Sequence, residues 1–119
     1  MKFGHIGIKV LDMEKSIDFY QKVLACTVTK DTFNGPTRLV FLDAHGVEIE
    51  LIYKNENKVC TYGPVEHLAF DVEDLDEKLA LIKKYNVSNI SDYVYFENKK
   101  IVFFDGLNNE RFEFAMLVK

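Results

Sequence analysis

The stretch His5-Ile6-Gly7-Ile8-Lys9-Val10 decides the fold, because the chain repeats it sixty-two positions later as His67-Leu68-Ala69-Phe70-Asp71-Val72. In both copies an aspartate follows, Asp12 and then Asp74, and opens a run of apolar residues at helical spacing. An aspartate in this position is typical of a helix N-cap. A repeat of this length in only two copies predicts a duplicated module and not a solenoid.

Each copy also closes on a similar strand. Val47-Glu48-Ile49-Glu50-Leu51 ends the first half, and Glu110-Arg111-Phe112-Glu113-Phe114 ends the second. Each half therefore opens on a strand with a histidine and closes on a strand with a glutamate. Imidazole and carboxylate groups are common ligands of divalent metal ions. The matched positions predict four metal ligands, which are His5, Glu50, His67 and Glu113.

Taken singly, these residues have simpler explanations. A lone histidine on a strand is more often a structural hydrogen-bonding residue than a ligand, and Glu50 with Glu48 could lie on a solvated strand face. The duplication favours the metal site, because a solvated face would require four separate coincidences. Gly7 and Ala69, each two residues after a histidine, leave room for a substrate. We expect His45, at a hairpin turn, to be exposed and to have no role.

The order of elements predicts a βαβββ module twice over. We expect a single α+β domain in which module one spans 1–53, a linker spans 54–64 and module two spans 65–119. The eight strands should form a curved mixed sheet around a metal cleft, with both helices outside. The alternating apolar pattern predicts the strands at 3–10, 26–33, 37–43, 47–53, 65–72, 89–95, 99–105 and 110–118.

Composition excludes several classes of partner. With 119 residues we expect one domain, and the net charge of −4 argues against nucleic acid as a partner. No apolar run approaches the ~20 residues that cross a bilayer, so we expect no membrane span.

The N-terminus leads directly into a strand, which predicts no signal peptide. Cys26 and Cys60 lack a CxxC spacing and are expected to be two reduced thiols in a cytoplasmic protein.

At these motifs the chain resembles the vicinal oxygen chelate superfamily, and within it glyoxalase I (lactoylglutathione lyase). The resemblance covers nearly the whole chain. The stretch from His5 to Leu24 is similar to the family's first module, and Glu50-Leu51 to its first glutamate motif. Glu66-His67-Leu68-Ala69-Phe70 is similar to the second histidine motif, in which the family often has glycine before the histidine. Glu110-Arg111-Phe112-Glu113-Phe114 is similar to the closing motif.

This resemblance implies a ligand set and a reaction. Two histidines and two glutamates are the glyoxalase I arrangement, whereas the extradiol dioxygenases and fosfomycin-modifying enzymes use two histidines and one glutamate. The implied activity is that of a carbon–sulfur lyase in methylglyoxal detoxification. It isomerises a 2-oxoaldehyde–thiol hemithioacetal to a 2-hydroxyacyl thioester through an enediolate. Glu113 is the implied base and Glu50 the second candidate. Each site would hold one divalent metal, nickel or cobalt ahead of zinc or manganese.

Other features of the reaction remain open. Lys9 stands where glyoxalase I tends to have an arginine that contacts glutathione, and Lys54 replaces an asparagine, so the identity of the thiol is not fixed. The alternatives are an acyl-CoA epimerase-like enzyme and a small-molecule-binding module that sequesters antibiotics without turnover. The superfamily implies a homodimer, and the metal could be held within one chain or between two.

Overall fold

The computed structural model describes residues 1–60 and 63–119. It divides into two compact units, Met1–Val59 and Cys60–Lys119. The boundary falls inside the predicted linker 54–64, of which residues 61 and 62 lie outside the described part. At the start of that linker, the Asn57 side-chain amide donates hydrogen bonds to the carbonyl oxygens of Val10 and Ile52, each at 3.0 Å. The first linker residues are thereby fixed to the first unit.

Both units have the same order and pairing of elements. In the first, the sheet order is β1-β4-β3-β2, with β1 parallel to β4 and the other pairs antiparallel. In the second, the order is β5-β8-β7-β6 with the same directions. The bounds in chain order are β1 Ile6–Lys9, α1 Met13–Lys22, β2 Thr27–Asn34, β3 Thr37–Ala44, β4 Val47–Tyr53, β5 Leu68–Asp71, α2 Leu75–Ile82, β6 Val94–Phe96, β7 Lys99–Asp105 and β8 Arg111–Leu117.

The α+β class and the repeated βαβββ module are therefore confirmed, and the eight strands form two four-stranded mixed sheets within the described residues. Both predicted helix caps are present as well. The backbone N–H of Lys15 donates to Asp12 Oδ1 at 3.1 Å, and that of Glu77 donates to Asp74 Oδ1 at 3.0 Å. Each cap satisfies a backbone donor that the first helical turn leaves open.

Four strands are shorter than predicted, and the one expected at 110–118 loses a single residue at each end, since β8 spans Arg111–Leu117. The strands expected at 3–10 and 65–72 are paired only over Ile6–Lys9 and Leu68–Asp71, so both histidines lie just before their strands. Alternation of apolar residues does not distinguish paired backbone from extended backbone without a partner. The strand expected at 89–95 is reduced to Val94–Phe96, and Asn89, with a φ of 53°, has left-handed backbone that a regular strand excludes.

The turn between β3 and β4 matches the prediction. His45 and Gly46 both have positive φ, 57° and 99°, as a two-residue type I′ turn requires. His45 is exposed, as expected, and its Nε2 lies 2.8 Å from the carbonyl oxygen of Leu24. This turn fixes the register between β3 and β4 and therefore the position of Glu50 in the sheet.

Neither cysteine lies in a motif. Cys26 is buried and Cys60 is exposed. Burial raises the pKa of the Cys26 thiol to about 11, and the nearby Asp43 carboxylate adds to this effect. Cys26 therefore stays protonated at neutral pH and behaves as a small apolar core residue. No helix in the described ranges is long and apolar enough to cross a membrane.

The core of the second unit is aromatic. The ring of Phe104 is fully buried, with its centroid 5.3 Å from that of Phe112 and 5.0 Å from that of Phe114. These rings lie on the face of β7 and β8 opposite Glu113, because side chains alternate along a strand. Leu75 and Ile82 of α2 are also fully buried in this unit.

We predict that Phe104→Ala lowers the free energy of unfolding by about 3–5 kcal/mol, because it leaves a cavity in this cluster. Phe96→Ala is the matched control, since Phe96 is 63% exposed on the same sheet. It should change the stability by less than about 0.5 kcal/mol. Urea unfolding followed by circular dichroism measures both, and equal effects for the two variants would contradict this description of the core.

Candidate metal centre

The first unit brings His5 and Glu50 together. Glu50 lies on β4 opposite Gly7 of β1 in the parallel ladder, and His5 lies two residues before Gly7 on the same face. His5 Nε2 is 3.5 Å from Glu50 Oε1. On the other side of Glu50, Phe41 of β3 is its cross-strand partner. The edge of one ring meets the face of the other between Phe41 and His5, with centroids 5.9 Å apart and an interplanar angle of 88°.

The second unit repeats this arrangement with His67 and Glu113. Glu113 of β8 lies opposite Ala69 of β5 and opposite Phe103 of β7. His67 Nε2 is 3.2 Å from Glu113 Oε1. The His67 and Phe103 rings are 5.5 Å apart at 82°. Each unit thus places the same four groups side by side: an imidazole, a small residue, a glutamate and a phenyl ring.

The space around Gly7 of β1 favours a small residue there. A Cβ atom on Gly7 would lie 3.1 Å from Cδ1 of Ile52 and 3.7 Å from Oε1 of Glu50. A longer side chain at this position would occupy the space beside the carboxylate. This contact supports the interpretation of Gly7 as a residue that keeps the site open.

Burial of the two carboxylates favours a compensating positive charge beside each of them. The Glu50 and Glu113 side chains are only 14% and 16% exposed, whereas those of His5 and His67 are 43% and 33% exposed. Removing a carboxylate from water is costly unless a positive charge compensates it. A metal ion or a protonated imidazole supplies that charge. The two imidazoles remain partly accessible to solvent.

The predicted ligands are therefore present as two pairs, each within its own unit. Over residues 1–60 and 63–119, no group of three or more His, Cys, Asp or Glu side chains is placed to hold a metal ion. Glu48 lies at the rim of the first pair, with its Oε1 3.8 Å from His5 Nδ1. Glu66 lies closer to the second pair, with its Oε1 2.7 Å from His67 Nδ1.

Sequence reasoning missed Phe41, Phe103 and the contact of Glu66. The repeat contained the signal for the two phenylalanines, because Val40-Phe41-Leu42-Asp43 returns sixty-two positions later as Val102-Phe103-Phe104-Asp105. Glu66 had no such signal, since Gly4 occupies the corresponding position before His5.

A separate cavity of about 380 Å³ lies in the first unit, where Arg38 and Tyr53 are among its lining residues. Tyr53 is three positions from Glu50 along β4 and so faces the other side of the sheet. The Arg38 guanidinium donates to the carboxylates of Asp31 and Glu14. The hydrogen bond from Arg38 holds the pKa of Asp31 below its usual value. This cavity is not part of the His5–Glu50 pair.

Comparison with known proteins assigns the family. The model of the Glyoxalase/Bleomycin resistance protein/Dioxygenase superfamily matches residues 2–114. The chain belongs to this superfamily. The predicted resemblance to the vicinal oxygen chelate proteins is thereby confirmed.

Two curated proteins of Bacillus subtilis are similar in sequence. The protein named "Uncharacterized protein YwbC" is 32% identical over 99 residues, covering 78% of each chain. A "probable trivalent organoarsenical cleaving enzyme" is 34% identical over 79 residues, covering 66% of this chain and 51% of that protein.

Solved structures agree with the fold. The fosfomycin resistance protein FosX of Listeria monocytogenes aligns with a TM-score of 0.76 at 20% identity, covering 98% of this chain and 93% of FosX. A FosX structure complexed with Mn(II) and sulfate aligns with a TM-score of 0.78 at 18% identity, covering 97% of this chain and 91% of that chain. At these identities the likeness establishes the fold.

Proposed function

We propose that the protein is a metal-dependent, glyoxalase I-like lyase. It would isomerise a 2-oxoaldehyde–thiol hemithioacetal to a 2-hydroxyacyl thioester. The observation that carries the proposal is the pair His5–Glu50 in one unit and its repeat His67–Glu113 in the other. Both modules retain a glutamate beside the histidine, which matches the four-ligand glyoxalase I set and not the three-ligand branches of the superfamily.

The donor set fits a divalent metal ion. Two imidazole nitrogens and two carboxylate oxygens suit Ni²⁺, Co²⁺, Zn²⁺ or Mn²⁺, and we propose Ni²⁺ or Co²⁺. When bound, the metal supplies Lewis acidity toward two adjacent substrate oxygens. The proposed ligands are His5, Glu50, His67 and Glu113.

The protein's own residues supply the proton transfer. We assign Glu113 as the base that takes a proton from one substrate carbon and returns it to the next, with Glu50 as the second candidate. Glu113 is largely buried, and its neighbour Ala69 is small enough to let a substrate carbon approach. The phenyl ring of Phe103 forms an apolar wall beside it, which limits the access of water to the carboxylate.

The metal ligands are tested by calorimetric titration with Ni²⁺, Co²⁺, Zn²⁺ and Mn²⁺. We predict that His5→Ala and His67→Ala each weaken the binding of the preferred ion by more than ~100-fold. Removal of a residue that only hydrogen-bonds to a metal ligand already lowers metal affinity by about 10–100-fold, and loss of the ligand itself should have a larger effect. His45→Ala is the matched control, since His45 lies at an exposed turn. Metal affinity unchanged in His67→Ala would remove it from the ligand set.

The base is tested by steady-state kinetics at saturating metal. We predict that Glu113→Gln lowers kcat by ~10²–10⁴-fold, the usual contribution of general-base catalysis. Glu50→Gln should regain much of its rate as the metal concentration is raised, because its main defect is in metal binding. Full recovery of Glu113→Gln beside an inactive Glu50→Gln would show that the two roles are reversed.

The reaction itself is tested with methylglyoxal and a panel of thiols, following the ultraviolet absorbance of the thioester. The panel matters because Lys9 and Lys54 replace residues that the resemblance links to glutathione.

A second candidate is cleavage of a trivalent organoarsenical, favoured by the 34% identity to the Bacillus subtilis protein of that description. Loss of the intact organoarsenical, with no thioester from any thiol, would favour this second reaction.

We also propose that the protein is a homodimer, because an open sheet edge is usually covered and duplicated modules can pair across a twofold axis. Mixing His5→Ala with His67→Ala subunits, after unfolding and refolding together, tests how the ligands are shared. If each site takes one module from each chain, the mixture regains activity, since one site per mixed dimer has all four ligands. If each chain holds its own site, every site lacks one histidine.

A recovery of about a quarter of the wild-type rate is expected for random mixing of subunits that share sites. This value follows because half of the dimers are mixed and each of these has one of its two sites intact. Each variant refolded alone is the control. Light scattering that gives a monomer near 13.8 kDa would contradict the dimer itself.

A further inference from the structure

The two halves of the chain differ at the residue before the histidine. In the second unit this residue is Glu66, and its Oε1 lies 2.7 Å from Nδ1 of His67. In the first unit it is Gly4, and the carboxylate nearest to Nδ1 of His5 is that of Glu48, at 3.8 Å. A distance of 2.7 Å is that of a strong charge-assisted hydrogen bond, whereas 3.8 Å lies beyond hydrogen-bond range. The environment of His5 in the first unit therefore serves as a comparison for the Glu66–His67 contact in the second.

This contact determines which nitrogen of His67 carries the proton when the ring is neutral. An ionised carboxylate can only accept, so the Nδ1 atom must be the N–H donor toward Glu66. The competing acceptor is Glu113, whose Oε1 is farther away, at 3.2 Å from Nε2. The shorter contact favours the Nδ1–H tautomer, which leaves the Nε2 lone pair directed toward Glu113.

We propose that Glu66 is a positioning residue that holds His67 in the tautomer and orientation required of a metal ligand. The inference rests on the proposed function, because it assigns Nε2 as the atom that binds the metal. Without Glu66, the nearest acceptor for the imidazole is Glu113, and the proton moves to Nε2. The ring then carries a hydrogen on the atom that should donate electrons to the metal.

The expected size of the effect follows from exposure. The Glu66 side chain is 75% exposed, so water competes for its carboxylate. Outer-sphere partners of ligating histidines typically contribute about 10–100-fold in metal affinity, and an exposed one belongs at the lower end. We expect Glu66→Ala to weaken metal binding by about tenfold.

The first measurement uses metal-free protein and long-range nitrogen–proton correlation spectra of the imidazoles at a pH where both rings are neutral. Wild-type His67 should be mainly in the Nδ1–H form, and Glu66→Ala should shift it toward Nε2–H. Glu66→Gln should keep much of the wild-type form, since the amide oxygen still accepts a hydrogen bond. An unchanged His67 tautomer in Glu66→Ala would overturn the proposal.

The first unit supplies a gain-of-contact variant and a control. A Cβ atom on Gly4 would meet no atom within 4 Å, so Gly4→Glu can be accommodated. It should move His5 toward the Nδ1–H form. Glu48→Ala removes a carboxylate beyond hydrogen-bond range and should leave the His5 tautomer as it was. A His5 ring that responds to Glu48→Ala and not to Gly4→Glu would contradict the role assigned to the preceding residue.

The second measurement is the Ni²⁺ affinity of the same variants by calorimetry. Wild-type binding with about tenfold weaker binding in Glu66→Ala supports the proposal. Equal affinity in wild type and Glu66→Ala overturns it while the proposed metal site stands. Absence of binding in wild type overturns the proposed function, and the role of Glu66 with it.

Discussion

The parallel pairing of the first and last strands of each module is the constraint on which the candidate site depends. Because β1 lies beside β4, a residue near the start of the module meets one near its end, more than forty positions along the chain. The same pairing of β5 with β8 brings His67 to Glu113. In each unit the capped helix carries the chain from the first strand to the second, and two antiparallel connections then bring the last strand beside the first. A change in register by one residue would turn the glutamate to the opposite face of the sheet.

Burial of the two glutamates determines what kind of ligand this geometry favours. Each glutamate is largely shielded between a phenyl ring on one neighbouring strand and a small residue on the other. A carboxylate in such a place favours a cation, and an imidazole nitrogen beside it adds a second donor of the type that transition metals prefer. The opposite faces of the same strands are apolar and hold the helices. One strand therefore serves the core with alternate residues and the candidate site with the others.

Much of this could be predicted from the sequence because duplication doubles every signal. The repeated motifs predicted a set of two histidines and two glutamates, which the structure places as one pair in each unit. The capping aspartates predicted the helices that the structure contains. The strand ends were less predictable, because hydrophobic alternation does not show where a pairing partner begins. Asn89 illustrates the limit, since its positive φ interrupts the extended backbone at the first residue of the predicted strand, without any glycine to indicate it. Glu66 was missed for another reason: its importance comes from a side-chain contact, not from a pattern.

We propose that both histidine–glutamate pairs bind one metal ion, and X-ray absorption spectroscopy of the Ni²⁺-loaded protein examines this ligand set. The scattering from imidazole rings reports how many histidines bind each metal. A shared metal ion predicts two imidazoles per nickel in the wild type, with only nitrogen and oxygen donors. It also predicts a single imidazole in His67→Ala loaded at high metal concentration. A wild-type spectrum with one imidazole per nickel, or with sulfur donors, would rule out this ligand set.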